Sequence, residues 1–422
     1  MPSSKSPGAP GRAMPSGPAR RHAPLPPGRP RPLRLLLASL CLLLAACSAG
    51  DTVRAARILA TGDVAGAQVL AAEKAVRYAA NPQALAWDLK AFKDRLAAFR
   101  KAVDGIWGPK DREEPTPRRY VKYSGDYKSR AMVDFDTGVV TVETVDQRAP
   151  QASLEAAVTA TVLAPADPRA VDLYSASDIT LGDEPFLYGQ VKDFQGQDIR
   201  WEWRAKAFAR ELVARGTTAR TVQGDAGPLT ARAVRFELVP GHLHVRAARY
   251  AATVRERARR FGVSENLVYA IMKTESDFNP FAVSSAPAFG LMQIVPGTAG
   301  ADVTLFLSGK KGQPSKEFLF EPENNVLYGT AYLHLLDTRH LDAVADPVSR
   351  EYCVIAAYNG GSGAVLRSFD ADRARATARI NALGPAQVYE HLRTRLPAEE
   401  TRRYLHKVME AKKLFVGVGA RG

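Results

Sequence analysis

The hydrophobic period of this chain changes twice, and each change limits the fold. Leu85, Leu89, Phe92, Leu96, Phe99 and Val103 recur every three or four positions within residues 52–104. That is the stripe of a helix packed on one side, and Asn81-Pro82 predicts a break in it. From about Tyr120 the period falls to two. A-M-V-D-F-D-T-G-V-V-T-V-E-T-V alternates around Asp136-Thr137-Gly138, which predicts a hairpin. F-L-Y-G-Q-V-K-D-F-Q-G-Q-D-I-R-W-E-W-R predicts a second hairpin turning near Gln195-Gly196, with Trp201 and Trp203 on one strand face. Core packing is the expected role of that pair, ahead of stacking on sugar. Leu229–Val239 reads as another strand and Pro240-Gly241 as a boundary. From His242 helical spacing returns, with one helix closing at Gly262 and the next opening at Ser264. The expected class is α+β. A helical segment (47–114) and a mainly antiparallel β region (115–240) precede a mainly α region (241–422).

Residues 1–46 read as an address. The first 34 are rich in Pro, Gly and Arg, a composition that does not support a packed core. Met14 is an alternative start to Met1. Leu35–Cys47 is apolar and follows a basic flank, too short for a permanent span and the size of a signal-peptide core. Leu44-Ala45-Ala46-Cys47 resembles a bacterial lipobox, in which the cysteine sulfur takes a diacylglycerol. Cys41 fits less well behind bulky Leu40. Ser48 stands where Asp would favour retention in the inner membrane, so this resemblance implies an anchor on Cys47 in the outer membrane of a Gram-negative bacterium, facing the periplasm. Several acyl chains on one residue hold where a single chain does not. The formal net charge is +14, and half of it lies in residues 1–46, which carry seven Lys and Arg and no acid. The remaining excess suits an acidic polymer or an anionic surface. Cys353 is the only cysteine beyond Cys47. No disulfide framework is expected, and its apolar neighbours mark it as a small buried hydrophobe.

The chemistry concentrates at Glu275. It ends the apolar run L-V-Y-A-I-M-K-T-E, and a polar, turn-rich loop follows at once. Apolar walls disfavour the charged carboxylate and raise its pKa, which lets it hold a proton near neutral pH as a general acid. A glycosidase usually adds a second carboxylate as nucleophile or base. Asp277 is two residues on and cannot share the helical face of Glu275.

The stretch E-S-D-F-N-P-F-A-V-S-S-A-P-A-F-G-L-M-Q-I-V-P-G-T-A-G and the later A-A-Y-N-G-G resemble the catalytic domain of the soluble lytic transglycosylase family, which has a goose-type lysozyme fold. A-V-D-L-Y-S-A-S-D-I-T-L-G and P-F-L-Y-G-Q-V are similar to the amino-terminal domain of a membrane-bound branch of that family. The branch is matched again by Gly312–Leu333 and Pro397–Val408, so the resemblance covers most of residues 55–415. It implies that Glu275 protonates the oxygen between N-acetylmuramic acid and N-acetylglucosamine. Glu275 then acts as base on the C6 hydroxyl of the same muramoyl ring, leaving a 1,6-anhydromuramoyl end. It also implies substrate contacts for Ser284, Gln293, Tyr358, Asn359 and Tyr404, with Ser276 structural and Met292 packing against the site. The departures Ala286-Pro287 and Phe289 sit on the loop after Glu275 and remove no acid or base.

The expected partners are peptidoglycan glycan strands and, through acylated Cys47, membrane lipid. No Cys/His cluster, phosphate-type glycine loop or acidic calcium-type loop occurs, so neither metal nor cofactor is expected. The export signal, and the lack of a basic helix interleaved with aromatics, argue against nucleic acid. Two rivals remain at this level. One is a hydrolytic muramidase of goose-lysozyme type, with Asp337 or Asp342 as a distant second acid. The other is a catalytically silent peptidoglycan-binding lipoprotein.

Overall fold

A computed structural model describes residues 82–182, 184–284 and 288–416. The chain divides into two units, Met1–Asp63 and Val64–Gly422, and every described residue belongs to the second. The signal segment, Met14, Cys41, Cys47 and Ala286-Pro287 lie outside the described residues.

Helix α1 (Pro82–Trp107) starts with its proline in the first turn, where the missing N–H costs nothing. Five antiparallel strands follow: β1 (Arg119–Ser124), β2 (Ser129–Asp134), β3 (Val139–Thr144), β4 (Thr218–Gly224) and β5 (Gly227–Glu237), in the order β1-β2-β3-β5-β4. The β2–β3 hairpin turns over residues 135–138 with Asp134 paired to Val139. The Asp134 side chain accepts the N–H groups of Asp136 and Thr137 at 3.0 Å each. Both faces of the sheet are buried. Phe99, Val103 and Trp107 of α1 pack on Val121, Tyr123, Met132, Val222 and Ala231. The alternate residues Tyr120, Ala131, Val133, Val140 and Val142 face helices α2 (Pro150–Val162) and α3 (Glu202–Ala214).

One expectation fails here. The second hairpin shrinks to a single bridge, Lys192 with Asp198, and its strand runs into α3. Trp201 is the N-cap residue and Trp203 lies in the first turn, 58% and 62% exposed. The buried set Ala205, Phe208, Ala209, Leu212, Val213 has the helical period. That stripe outweighs the brief alternation before it. The Asp193 side chain meanwhile accepts the N–H groups of Gln195 and Gln197, which stabilises a local turn over an extended ladder.

The rest is helical around one core: α4 (His242–Ala248), α5 (Ala251–Phe261), α6 (Glu265–Ser276), α7 (Ala301–Ser308), α8 (Pro322–Leu335), α9 (Pro347–Gly360), α10 (Ser362–Phe369), α11 (Arg373–Asn381), α12 (Pro385–Arg395) and α13 (Glu399–Leu414). Gly262, at φ 65°, closes α5 as expected, and the chain also breaks at Arg249-Tyr250. Helix α6 is central, with Leu267 to Met272 all buried. Helix α13 runs antiparallel beside it, because Asn266 donates to the Lys412 carbonyl at 2.7 Å while Glu275 meets Tyr404.

Candidate active site

Glu275 occupies the last turn of α6. The residue keeps some accessible surface, but protein atoms enclose its carboxyl group, and that burial pushes its pKa from 4.5 up to about 7. Tyr404, itself 6% exposed, donates its hydroxyl to Oε1 at 2.7 Å and pulls the value partly back. The Glu400 charge raises it slightly. Among the described residues no hydrogen bond falls on Oε2. One carboxyl oxygen is thus held by protein and the other carries no protein hydrogen bond, in a site whose burial favours the protonated form.

Asp277 is kept apart. It ends α6 in the left-handed region at φ 53°, and Phe278 follows at φ 59°. The Asp277 side chain is 1% exposed, with Lys273 Nζ at 3.2 Å and the Arg246 guanidinium at 3.3 Å. Arg246 also donates Nε–H to the Asp277 carbonyl at 3.0 Å and an N–H to Gln190 at 2.9 Å. Asp136 from the β2–β3 turn joins this cluster beside Arg118 and Lys273. Burial raises the Asp136 pKa, and a hydrogen bond with Asp277 adds to the rise. The cluster locks the end of the α6 helix and offers Glu275 no second acid.

The loop after α6 returns beneath Glu275. Ser276 donates to the Leu291 carbonyl at 2.7 Å. Gly290 sits at φ 73°, and a Cβ there would lie 2.4 Å from Asn325 Nδ2 and 2.6 Å from the Leu319 carbonyl, so only glycine fits. Asn325 accepts the Met292 N–H at 2.7 Å and donates to Phe289 and Leu319 carbonyls. Met292 is fully buried against Gly329 of α8, where any β-carbon would collide with its sulfur. Gln293 donates Nε2 to the Ala282 and Gly290 carbonyls at 3.1 and 2.9 Å. Its Oε1 is buried and has no hydrogen-bond partner among the described residues.

Tyr358, at the end of α9, donates its hydroxyl to the Met292 carbonyl at 2.8 Å, not to Glu275. It lies close enough that burial and the Glu275 charge together hold its pKa well above the usual range. Asn359 is exposed, and its Oδ1 accepts the Thr401 hydroxyl at 2.8 Å. The Ser284 hydroxyl accepts the Ala288 N–H at 3.3 Å across the loop. Cys353 is fully buried and its thiol is pushed up to about 12, far from nucleophilic use. Asp337 pairs with Arg350 at 3.0 Å, and Asp342 is exposed; neither acts on Glu275. A groove of about 680 Å³ beside Lys122, Trp203 and Arg210 shares none of these residues. Among the described residues no side-chain cluster could hold a metal ion.

The family of transglycosylase SLT domains matches residues 252–381, which contain Glu275 through Asn359. The family described as the N-terminal domain of membrane-bound lytic murein transglycosylase C matches residues 81–249. The membrane-bound lytic murein transglycosylase C of Serratia proteamaculans is 46% identical over 334 residues, 79% of this chain and 92% of that one. The protein of that name from Yersinia pestis is 46% identical over 329 residues, 78% and 90%. The chain belongs to the membrane-bound lytic murein transglycosylase C family. Two solved structures are each 27% identical. They are the 70 kDa soluble lytic transglycosylase of Escherichia coli (TM-score 0.31) and an inactive mutant of lytic transglycosylase Slt from Pseudomonas aeruginosa (TM-score 0.30). Each alignment covers 40% of this chain and about a quarter (24%) of the solved one.

In this transglycosylase C chain, sequence reasoning placed Tyr404 in the cleft but not its hydrogen bond to Glu275. It missed Glu400, one helical turn earlier on α13, altogether. The i,i+4 spacing of Glu400 and Tyr404 was the available signal. It becomes readable only once α13 is known to lie along α6.

Proposed function

We propose that this lytic murein transglycosylase, an enzyme of peptidoglycan, works with Glu275 as its single acid and base. The reading starts from the neutral carboxyl. Its proton passes to the glycosidic oxygen between N-acetylmuramic acid and N-acetylglucosamine, the C1–O bond breaks, and the glucosaminyl side leaves with a free 4-hydroxyl. The carboxylate so formed takes the C6 hydroxyl proton of the muramoyl ring while O6 bonds to C1. A 1,6-anhydro ring closes, Glu275 is protonated again, and no water is consumed. Tyr404 holds Oε1 throughout and so aims Oε2 at the sugar. Gln293, Ser284, Tyr358 and Asn359 line the same cleft.

The observation that carries this reading is a carboxyl poised near pH 7, with Asp277, the acid closest to it in sequence, locked in a separate ion cluster and only the exposed Glu400 charge acting on it from α13. A carboxyl with that pKa serves both transfers without a large energy mismatch in either direction. For location, the relatives are named membrane-bound, and no helix among the described residues is long and apolar enough to cross a membrane. The reading is a lipoprotein held by acylated Cys47 in the outer membrane, with the enzyme facing the periplasm.

Product analysis in water labelled with heavy oxygen tests the chemistry. Anhydromuramoyl ends without label are expected. Stoichiometric label at C1, with no anhydro sugar, would make the enzyme a hydrolase.

A further inference from the structure

We infer that the β-sheet part of the molecule is a working part of the catalytic apparatus. It positions the Glu275–Gln293 loop by taking Phe281 into its own hydrophobic core. The inference rests on the reading of Glu275 as the acid.

The chain leaves α6 through two consecutive left-handed residues, Asp277 and Phe278. A bulky side chain there is strained and persists only where its surroundings over-determine it. The surroundings come from both sides. Phe278 packs among Tyr250, Tyr269 and Phe415 of the helical part. The next contacts belong to the sheet. Asn279 is fully buried and donates Nδ2 to the Pro117 carbonyl, just before β1, at 3.0 Å. Its Oδ1 accepts the Phe281 N–H at 3.1 Å.

Phe281 is 1% exposed and belongs to the sheet's core cluster, not to the core of the helices that flank it in sequence. Its ring stands edge-to-face with Tyr120 of β1 at 5.2 Å and with Phe186 at 5.1 Å. The residue after it carries the consequence. The Ala282 carbonyl accepts both the Gly290 N–H at 2.9 Å and the Gln293 side-chain amide at 3.1 Å. The depth of Phe281 in the sheet core therefore sets the height of the Ala282 carbonyl. That carbonyl sets the amide orientation of Gln293. At the other end of the same short segment lies Glu275. Phe281 and Asn279 act through this backbone and do not reach the substrate themselves, so they are positioning residues. Displacements near 1 Å at a reacting group already cost large rate factors.

The test uses the full-length protein in detergent micelles acting on soluble glycan strands, with kcat, KM and the melting temperature read for each variant. Phe281→Ala is expected to lower kcat at least tenfold while KM stays within threefold of wild type. Phe281→Leu, which refills the pocket, should recover kcat to within threefold. Val158→Ala, which opens a cavity in the same core on α2, should lower the melting temperature and leave kcat unchanged. A folded Phe281→Ala with kcat within twofold of wild type would overturn the inference. Equal loss of kcat in Val158→Ala would overturn it too. If Phe281→Ala does not fold, Asn279→Ala decides, with a kcat loss of threefold or more supporting the inference and wild-type kcat overturning it. Glu275→Gln is run alongside. Turnover by that variant would sink the acid–base reading itself, whereas an inactive Glu275→Gln beside an unimpaired Phe281→Ala would sink only the positioning role.

Discussion

Glu275→Gln should make the protein more stable in base and not in acid, and the size of the gain follows from the site. In the folded protein burial holds the Glu275 pKa at about 7, against an ordinary value of 4.5. The folded state prefers the neutral acid, and the unfolded chain gives up the proton first. Stability from this group is therefore complete below about pH 4.5 and is lost as pH rises through 7. A pKa difference of one is worth about 1.4 kcal/mol, so the full loss is about 3 kcal/mol, of which about 2.5 kcal/mol develops between pH 5 and pH 8. Glutamine is close in shape, keeps an oxygen for the Tyr404 hydroxyl, and does not titrate. Urea unfolding of both proteins at pH 5 and pH 8 gives a double difference in which Asp136, His242 and every other titrating group cancel. The variant should gain about 2.5 kcal/mol relative to wild type on going from pH 5 to pH 8. A double difference below about 0.5 kcal/mol would mean that the folded state bears the charged carboxylate without penalty. The description of a proton held by burial would then be refuted.

The same substitution should cost turnover by about 10²–10⁴-fold or more, since one group serves both proton transfers in the proposed mechanism; activity within tenfold of wild type would refute the single-acid mechanism. Tyr404→Phe removes a hydrogen bond that favours the carboxylate, so the alkaline limb of the kcat/KM profile should move to higher pH while kcat falls. Glu400→Gln removes a like charge and should move that limb the opposite way; a shift upward would contradict the assigned electrostatics. Cys47→Ala should release the protein from membranes with its activity intact in vitro, and retention after a high-salt wash would indicate an uncleaved apolar helix instead.

Local order alone made much of this protein legible. A period of three to four placed α1 and α6, and a period of two around Asp136-Thr137-Gly138 placed β2 and β3, because each repeat matches the pitch of the backbone that must bury it. Glu275 stood out for the same reason, since an apolar run ending in one acid dictates a carboxyl against apolar walls. Gly290 carries no such local signal, and only the collision with Asn325 shows why a side chain is excluded there. The tryptophans show where this reading stops. Four alternating residues before Trp203 resemble a strand, and only the competition with the Ala205–Val213 stripe over what α3 buries decides for helix. Tertiary structure alone brought Tyr404 to Glu275 across 129 residues of chain. It also sent Phe281 into a core built from β1 and the Phe186 loop, although the helices before and after its loop build a different core. Such pairings carry no local signature. A hydroxyl or a phenyl ring gains its stabilisation from whichever partner the packing of whole elements delivers. That delivery depends on how helices and sheet stack, to which the spacing of residues within one helix or strand is blind.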